Sequence, residues 1–132
     1  MKHHTKIPVR FADIDAMGHV NNAVFLNYFE QARIDFFKSR VGTDWDWKNQ
    51  GIVLARNEID YLLPVLMNDD VMIETSVLEI GRKSMTIGFV VYDGQVEDMQ
   101  RQFARGKCVL VAFDYKAGKT KEIPEEWKEA MS

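Results

Sequence analysis

One long helical apolar pattern, followed by stretches of period two, sets the narrowest limits on the fold of this chain. Phe25, Tyr28, Phe29, Ala32 and Phe36 fall at i, i+3, i+4, i+7 and i+11, which is one face of an α-helix. Val24, Leu26, Ile34 and Phe37 widen that apolar surface, so the helix is expected to be covered on more than one side. Asn21 or Asn22 is expected to cap its start, because an Asn side chain accepts from the unpaired first N–H groups. Gly42 is expected to stop it.

From Gly51 onward the period becomes two. Val53, Ala55, Ile59, Tyr61 and Leu63 alternate with Arg56, Glu58 and Asp60, the pattern of a half-buried strand. Pro64 and the Asn68–Asp69–Asp70 cluster break it. Val71 to Ile80 and Lys83 to Tyr92 read as further strands around a turn at Gly81, with Met85, Ile87, Phe89 and Val91 on one face of the second. Asp93–Gly94 is a turn signal. Met99 to Asp114 reads as a long last strand with Ala104, Gly106, Cys108, Leu110 and Ala112 on one face; a row of small residues admits a close neighbour, and the aromatic helix is the candidate. Thr5 to Phe11 reads as a short first strand, Thr43 to Gln50 with Trp45 and Trp47 as a loop, and Pro124 to Met131 as a short terminal helix.

The order strand, helix, then consecutive strands with short turns implies an α+β fold with an antiparallel sheet of about five strands. A single sheet with one helix leaves a face or an edge uncovered, which predicts oligomerisation.

Composition narrows the class. The 132 residues fit a single domain over 1–132, and at 46% hydrophobic the chain can bury a core. A formal charge of -3 gives no reason to expect nucleic acid or an anionic membrane as partner. Cys108 is the single cysteine, so an internal disulfide is excluded. The start of the sequence lacks an apolar run of signal-peptide length, and the longest apolar run, Cys108 to Phe113, is too short to span a membrane. A cytoplasmic protein is expected.

Chemistry concentrates in FADIDAMGHVNN, Phe11 to Asn22, just before the long helix. The first N–H groups of a helix are unpaired and favour an anion or oxyanion. Asp13, Asp15 and Gly18 match three positions of a calcium loop, but Met17 and Val24 occupy two others and the bidentate acid is missing. Asp13, Asp15 and His19 are possible metal ligands by type, yet no second His or Cys cluster supports them; His3 and His4 lie near the terminus and read as incidental. No metal or cofactor is expected. Cys108 sits in an apolar strand pattern and reads as a small core residue rather than a nucleophile. What remains is carboxylate chemistry, an Asp acting as base or nucleophile on a carbonyl beside backbone donors around Asn22 and Ala23. The bland alternative is that these Asp and Asn residues only cap and turn the loop.

The run FADIDAMGHVNNAVFLNYFEQAR resembles the opening of the 4-hydroxybenzoyl-CoA thioesterase-like branch of the hotdog superfamily, through D-x-D-x-x-G, then H-V-N-N, then an aromatic-rich helix with Glu30 and Arg33. YLLPV at Tyr61 to Val65, Gly81 to Ser84, and ARGKCVLVAFD at Ala104 to Asp114 extend the match over nearly the whole chain. The resemblance implies a hotdog fold, a curved antiparallel sheet wrapped around one long central helix, assembled as a homodimer or homotetramer with sites at the dimer interface.

It further implies an acyl-CoA thioesterase that needs no metal, releasing a free acid and CoA. Asp15 becomes the catalytic carboxylate, as general base or nucleophile. The Asn22 amide becomes the oxyanion donor, and Asp13 is left to shape the loop. His19 is a loop hydrogen-bonder or a substrate contact. Phe25 stands where many relatives carry Tyr, and Asp69 where they carry Gly. Arg82 and Lys83 are candidates for the CoA phosphates, and Glu58 for a second carboxylate supplied by the partner subunit. Glu30 and Arg33, at i and i+3, are expected to pair with each other. The alternatives to acyl-CoA hydrolysis are a carrier-protein thioesterase and a non-catalytic hotdog module that binds acyl groups or CoA.

Overall fold

The computed structural model describes residues 2–42 and 51–132. The expected loop with Trp45 and Trp47 lies outside them. Strand β1 (Lys2–Ile7) leads through a short 3-10 turn (Phe11–Asp13) to helix α1 (Val24–Val41). Then come β2 (Gly51–Tyr61), β3 (Val71–Ile80), β4 (Ser84–Asp93), β5 (Gln102–Asp114), the two-residue β6 (Lys119–Thr120) and helix α2 (Glu125–Met131). The strands run antiparallel in the order β1-β3-β4-β5-β2, with β6 paired to the end of β5. β2 therefore stands at one edge of the sheet and β1 at the other. This is the expected antiparallel sheet with one long helix, plus the short terminal helix.

α1 forms where the apolar spacing places it. Phe25, Tyr28, Phe29, Ala32, Phe36 and Phe37 are all buried. Gly42 closes the helix at φ 80, its N–H donating to the Lys38 carbonyl, in a conformation that costs a residue without Cβ little. Lys38 and Arg40 in the last turn suit the negative end of the helix dipole. The start differs from expectation: Ala23 is the N-cap, and Asn21 acts one step earlier by accepting the Ala23 N–H on its side chain.

The small-residue face of β5 receives the helix. Phe29 stacks on Phe89 of β4 with ring centroids 4.4 Å apart. Gly106 lies under the same ring, where a Cβ would come within 2.7 Å of Phe29 and 2.4 Å of the Glu58 carbonyl oxygen. Ala104, Cys108, Leu110 and Ala112 are buried beside it. α2 covers the C-terminal flank of α1 through Trp127, 5.3 Å from Phe37 between ring centroids.

Two strand expectations need correction. β1 ends at Ile7 rather than running to Phe11, because Pro8 has no N–H for the ladder. In β2 a bulge between Leu54 and Arg56 shifts the register. Ile52 and Leu54 then lie opposite Ala112 and Leu110, and Asn57, Ile59 and Tyr61 opposite Cys108, Gly106 and Ala104. Val53 and Ala55 consequently do not share a face with Ile59 and Tyr61, since one inserted residue inverts every side chain beyond it. His3 and His4, read as incidental to any metal site, have a place in the fold. They belong to β1, where His3 Nε2 lies 2.7 Å from Asp35 Oδ2 and His4 Nδ1 lies 2.8 Å from the Tyr92 hydroxyl.

Candidate active site

Asp13 organises the polar loop. Its carboxylate is buried and accepts from the Arg10 backbone N–H at 2.9 Å, the Arg10 guanidinium at 3.1 and 2.8 Å, and the Tyr28 hydroxyl at 2.7 Å. Its carbonyl oxygen accepts the Asn21 N–H at 2.9 Å. Burial pushes this carboxyl upward, but the hydrogen bonds from Arg10 and Tyr28 outweigh it and hold the group below its ordinary value. Burial and the same carboxylate push the Tyr28 hydroxyl up. An Asp whose oxygens are already engaged in this way is a scaffold, not a free base or a metal ligand.

Asp15, two residues on, is presented differently. Its N–H donates to the His19 carbonyl at 3.0 Å and its own carbonyl accepts from Gly18 at 3.0 Å. Gly18 at φ 88 closes this tight turn. Oδ1 of Asp15 accepts the Met17 N–H at 2.9 Å. Among the described residues nothing donates to Oδ2. Asp15, half-buried as a residue, thus has one carboxylate oxygen without a donor among the described residues, on a rung of backbone shared with His19.

The helix entrance leaves one backbone N–H without an acceptor among the described residues. The Ala23 N–H is taken by Asn21 Oδ1 at 2.9 Å, and the Val24 and Phe25 N–H groups by the carbonyls of Asn21 and Asn22. Among the described residues the Asn22 N–H has no acceptor. Of the two amides expected to be available, Asn22 and Ala23, only the first remains so.

A cleft of about 220 Å³ opens at this end of the helix, lined by His19, Val20, Asn22, Phe25 and the segment from Tyr61 to Pro64. The Val20 N–H donates to the Val65 carbonyl at 2.8 Å, tying the two walls together. The Phe25 ring is buried and meets Tyr61 edge-on at 5.3 Å. The cleft so joins His19, Asn22 and Phe25, while Asp15 stands outside its lining on the far strand of the turn. Tyr61, Leu62 and Pro64 are site residues that the sequence does not mark as such. Their signal, the YLLPV run, enters the sequence reading as the end of a strand and as part of the family resemblance, with no site role attached.

Glu58, Arg82 and Lys83 are not part of this cleft in the chain. Glu58 faces the opposite side of the sheet from Asn57, pairing with Lys107 and Arg56, each at 3.3 Å. It borders a separate recess of about 290 Å³ with Leu78, Glu79, Thr86 and Val109. Arg82 pairs with Glu122 at 3.5 Å on the surface. Arg82 and Lys83 sit in the β3–β4 turn, at the other end of the sheet from the polar loop, roughly 30 Å of extended strand away.

The expected Glu30–Arg33 pair does not form. Arg33 turns toward the sheet and reaches Cys108 Sγ at 3.9 Å, while Glu30 is exposed. Burial pushes the Cys108 thiol up, with Arg33 opposing, so Cys108 is the core residue its strand pattern implies.

Comparison with known proteins adds a family. The family model described as the thioesterase-like superfamily matches residues 9–131. YsmA, an uncharacterised protein of Bacillus subtilis (strain 168), is 29% identical over 126 residues, 96% of this chain and 82% of that protein. The long-chain acyl-CoA thioesterase FadM of Escherichia coli (strain K12) is 27% identical over 128 residues, 96% of this chain and 95% of FadM. A Thermus thermophilus thioesterase solved in complex with coenzyme A and Zn superposes with a TM-score of 0.82 at 37% identity, covering 97% of this chain and 95% of that one.

Proposed function

This chain belongs to the thioesterase-like superfamily, and on that premise we propose that it hydrolyses acyl-CoA to a free acid and CoA. The observation that supports this assignment is Asn22, a cleft-lining residue whose N–H has no acceptor among the described residues, with the half-buried Asp15 on the turn just before it, outside the lining. FadM acts on long-chain acyl-CoA and the Thermus protein holds coenzyme A, which supports CoA as the thiol carried by the substrate here. Among the described residues no helix is long and apolar enough to cross a membrane.

The chemistry follows from these two groups. The thioester carbonyl oxygen accepts from the Asn22 N–H, a donor aimed where negative charge develops. Asp15 either takes the proton of a water that attacks the carbonyl carbon, or attacks that carbon itself to give an anhydride that water then opens. In both routes the C–S bond breaks, the electron pair leaves on sulfur, and the thiolate is protonated to CoA. The apolar lining from Val20, Phe25, Leu62, Leu63 and Pro64 takes the acyl group.

A second copy of the chain completes the site. β2 is an edge strand, and Leu54, Tyr61, Leu62 and Leu63 along it and just past its end are each more than 40% exposed. Unpaired strand edges with apolar side chains favour association, and here the association would wall the open side of the cleft. Any contact of Arg82, Lys83 or Glu58 with substrate has to come across that subunit boundary.

The test is thiol release from a panel of acyl-CoAs. Turnover on at least one acyl-CoA, with weak turnover of the same acyl group on a carrier protein, is expected. Binding of CoA without turnover anywhere in the panel would overturn the assignment in favour of a non-catalytic module.

A further inference from the structure

Tyr28 lies in the second turn of α1, outside the cleft lining but with its ring 5.9 Å from that of the cleft residue Phe25, and its hydroxyl reaches back 15 residues to the loop. The ends of the polar loop and the helix that follows it meet on a single residue. Asp13 receives Arg10 from the chain entering the loop, Asn21 from the chain leaving it, and Tyr28 from the helix. Asp15 is two residues past this hub, and Asn22 is the residue directly after Asn21. Beside the Asp15–His19 rung, Asp13 is thus a tie between the carboxylate's turn and the amide, and it is held to the helix by the 2.7 Å bond from Tyr28.

We propose that Tyr28 is a positioning residue for thioester hydrolysis, setting the distance between Asp15 and the Asn22 amide through Asp13 without touching substrate. Arg10 acts on the same hub from the opposite side, as a chelating partner whose own side chain is 67% exposed. Such a role predicts a defect in the chemical step rather than in binding, because the cleft lining is left intact. A misplacement of about 1 Å between reacting groups can cost on the order of 100-fold in rate. The proposal rests on the assignment of Asp15 and Asn22 made above.

The experiment compares steady-state kinetics of wild type, Tyr28→Phe and Tyr92→Phe on one acyl-CoA, each assayed well below its own melting temperature. Tyr28→Phe should lower kcat by about 10- to 100-fold with KM within about twofold of wild type. Tyr92→Phe removes a hydroxyl bonded to His4 on β1, and should lower the melting point without changing kcat. A double cycle with Asp13→Asn should be non-additive in kcat, since both substitutions break one linkage. If wild type turns over, Asp15→Asn is inactive and Tyr28→Phe keeps wild-type kcat, the positioning role is wrong while the catalytic assignment stands. If Asp15→Asn retains activity, the assignment itself is wrong. Should Tyr28→Phe fail to fold, Arg10→Gln decides: a fall in kcat at constant KM supports the role, and unchanged kcat overturns it.

Discussion

The Tyr61 hydroxyl donates to the Asn22 carbonyl oxygen at 2.8 Å. The last residue of an edge strand is thereby bolted to the residue at the start of α1 whose N–H has no acceptor among the described residues. The same tyrosine lines the cleft and packs edge-on against Phe25. Removing its hydroxyl with Tyr61→Phe keeps the packing and frees the Asn22 turn. One neutral hydrogen bond contributes about 1 kcal/mol, so kcat/KM should fall by roughly fivefold, with the ring contact preserved. Kinetics on a single acyl-CoA check this.

Gly106 admits the helix. A side chain there would meet both the Phe29 ring and the Glu58 carbonyl, one of them rigid backbone. Gly106→Ala should destabilise by about 1–3 kcal/mol, the usual cost of overpacking a close-packed core. Urea unfolding of the variant against wild type measures it. Gly88→Ala is a milder comparison, because the atoms nearest its added Cβ belong to the flexible Leu78 side chain at 3.0 Å.

Acid should loosen β1 from α1. Hydrogen bonds from Thr5 and then His3 hold the Asp35 carboxyl below its ordinary value. A carboxyl lowered in the folded state stabilises the fold above its unfolded pKa of about 3.9, and that contribution is lost as pH falls through the lower folded value. Asp35→Asn should therefore flatten the stability profile below about pH 4. Thermal melts across that range give the comparison.

The edge strand predicts a solution mass at a multiple of the 15.3 kDa chain. Charges placed on the exposed edge, as in Leu54→Glu combined with Leu62→Glu, should shift the protein toward the single-chain mass and reduce turnover together. Sedimentation with parallel assays tests both, and a mass unmoved by the substitutions would count against association through β2.

Much of this architecture is legible in the residues because it depends on local period. Phe25 to Phe36 dictate α1, and Met85 to Val91 dictate β4, since each buries one regular face. The β2 bulge is invisible locally: nothing in VLARNE marks the residue at which Leu110 and Val109 stop facing successive partners. The carboxylate and the helix entrance are adjacent in sequence and could be paired from it. The second wall of the cleft, Tyr61 to Pro64, and the Tyr28–Asp13 bond join residues separated by 39 and 15 positions, a relation that no local pattern carries. Arg33 likewise turns to Cys108, 75 residues on, instead of to its helical neighbour Glu30.

Everything proposed for catalysis depends on Asp15 doing the chemistry, and Asp15→Asn tests that dependence. The substitution keeps the shape of the side chain and an oxygen for the Met17 N–H, so the turn should persist while the charge is gone. The variant is expected to fold, to retain CoA binding with KM near that of wild type, and to lose thiol release by about 100-fold or more, the scale of a general base. Wild-type rates of thiol release from Asp15→Asn would contradict the assignment.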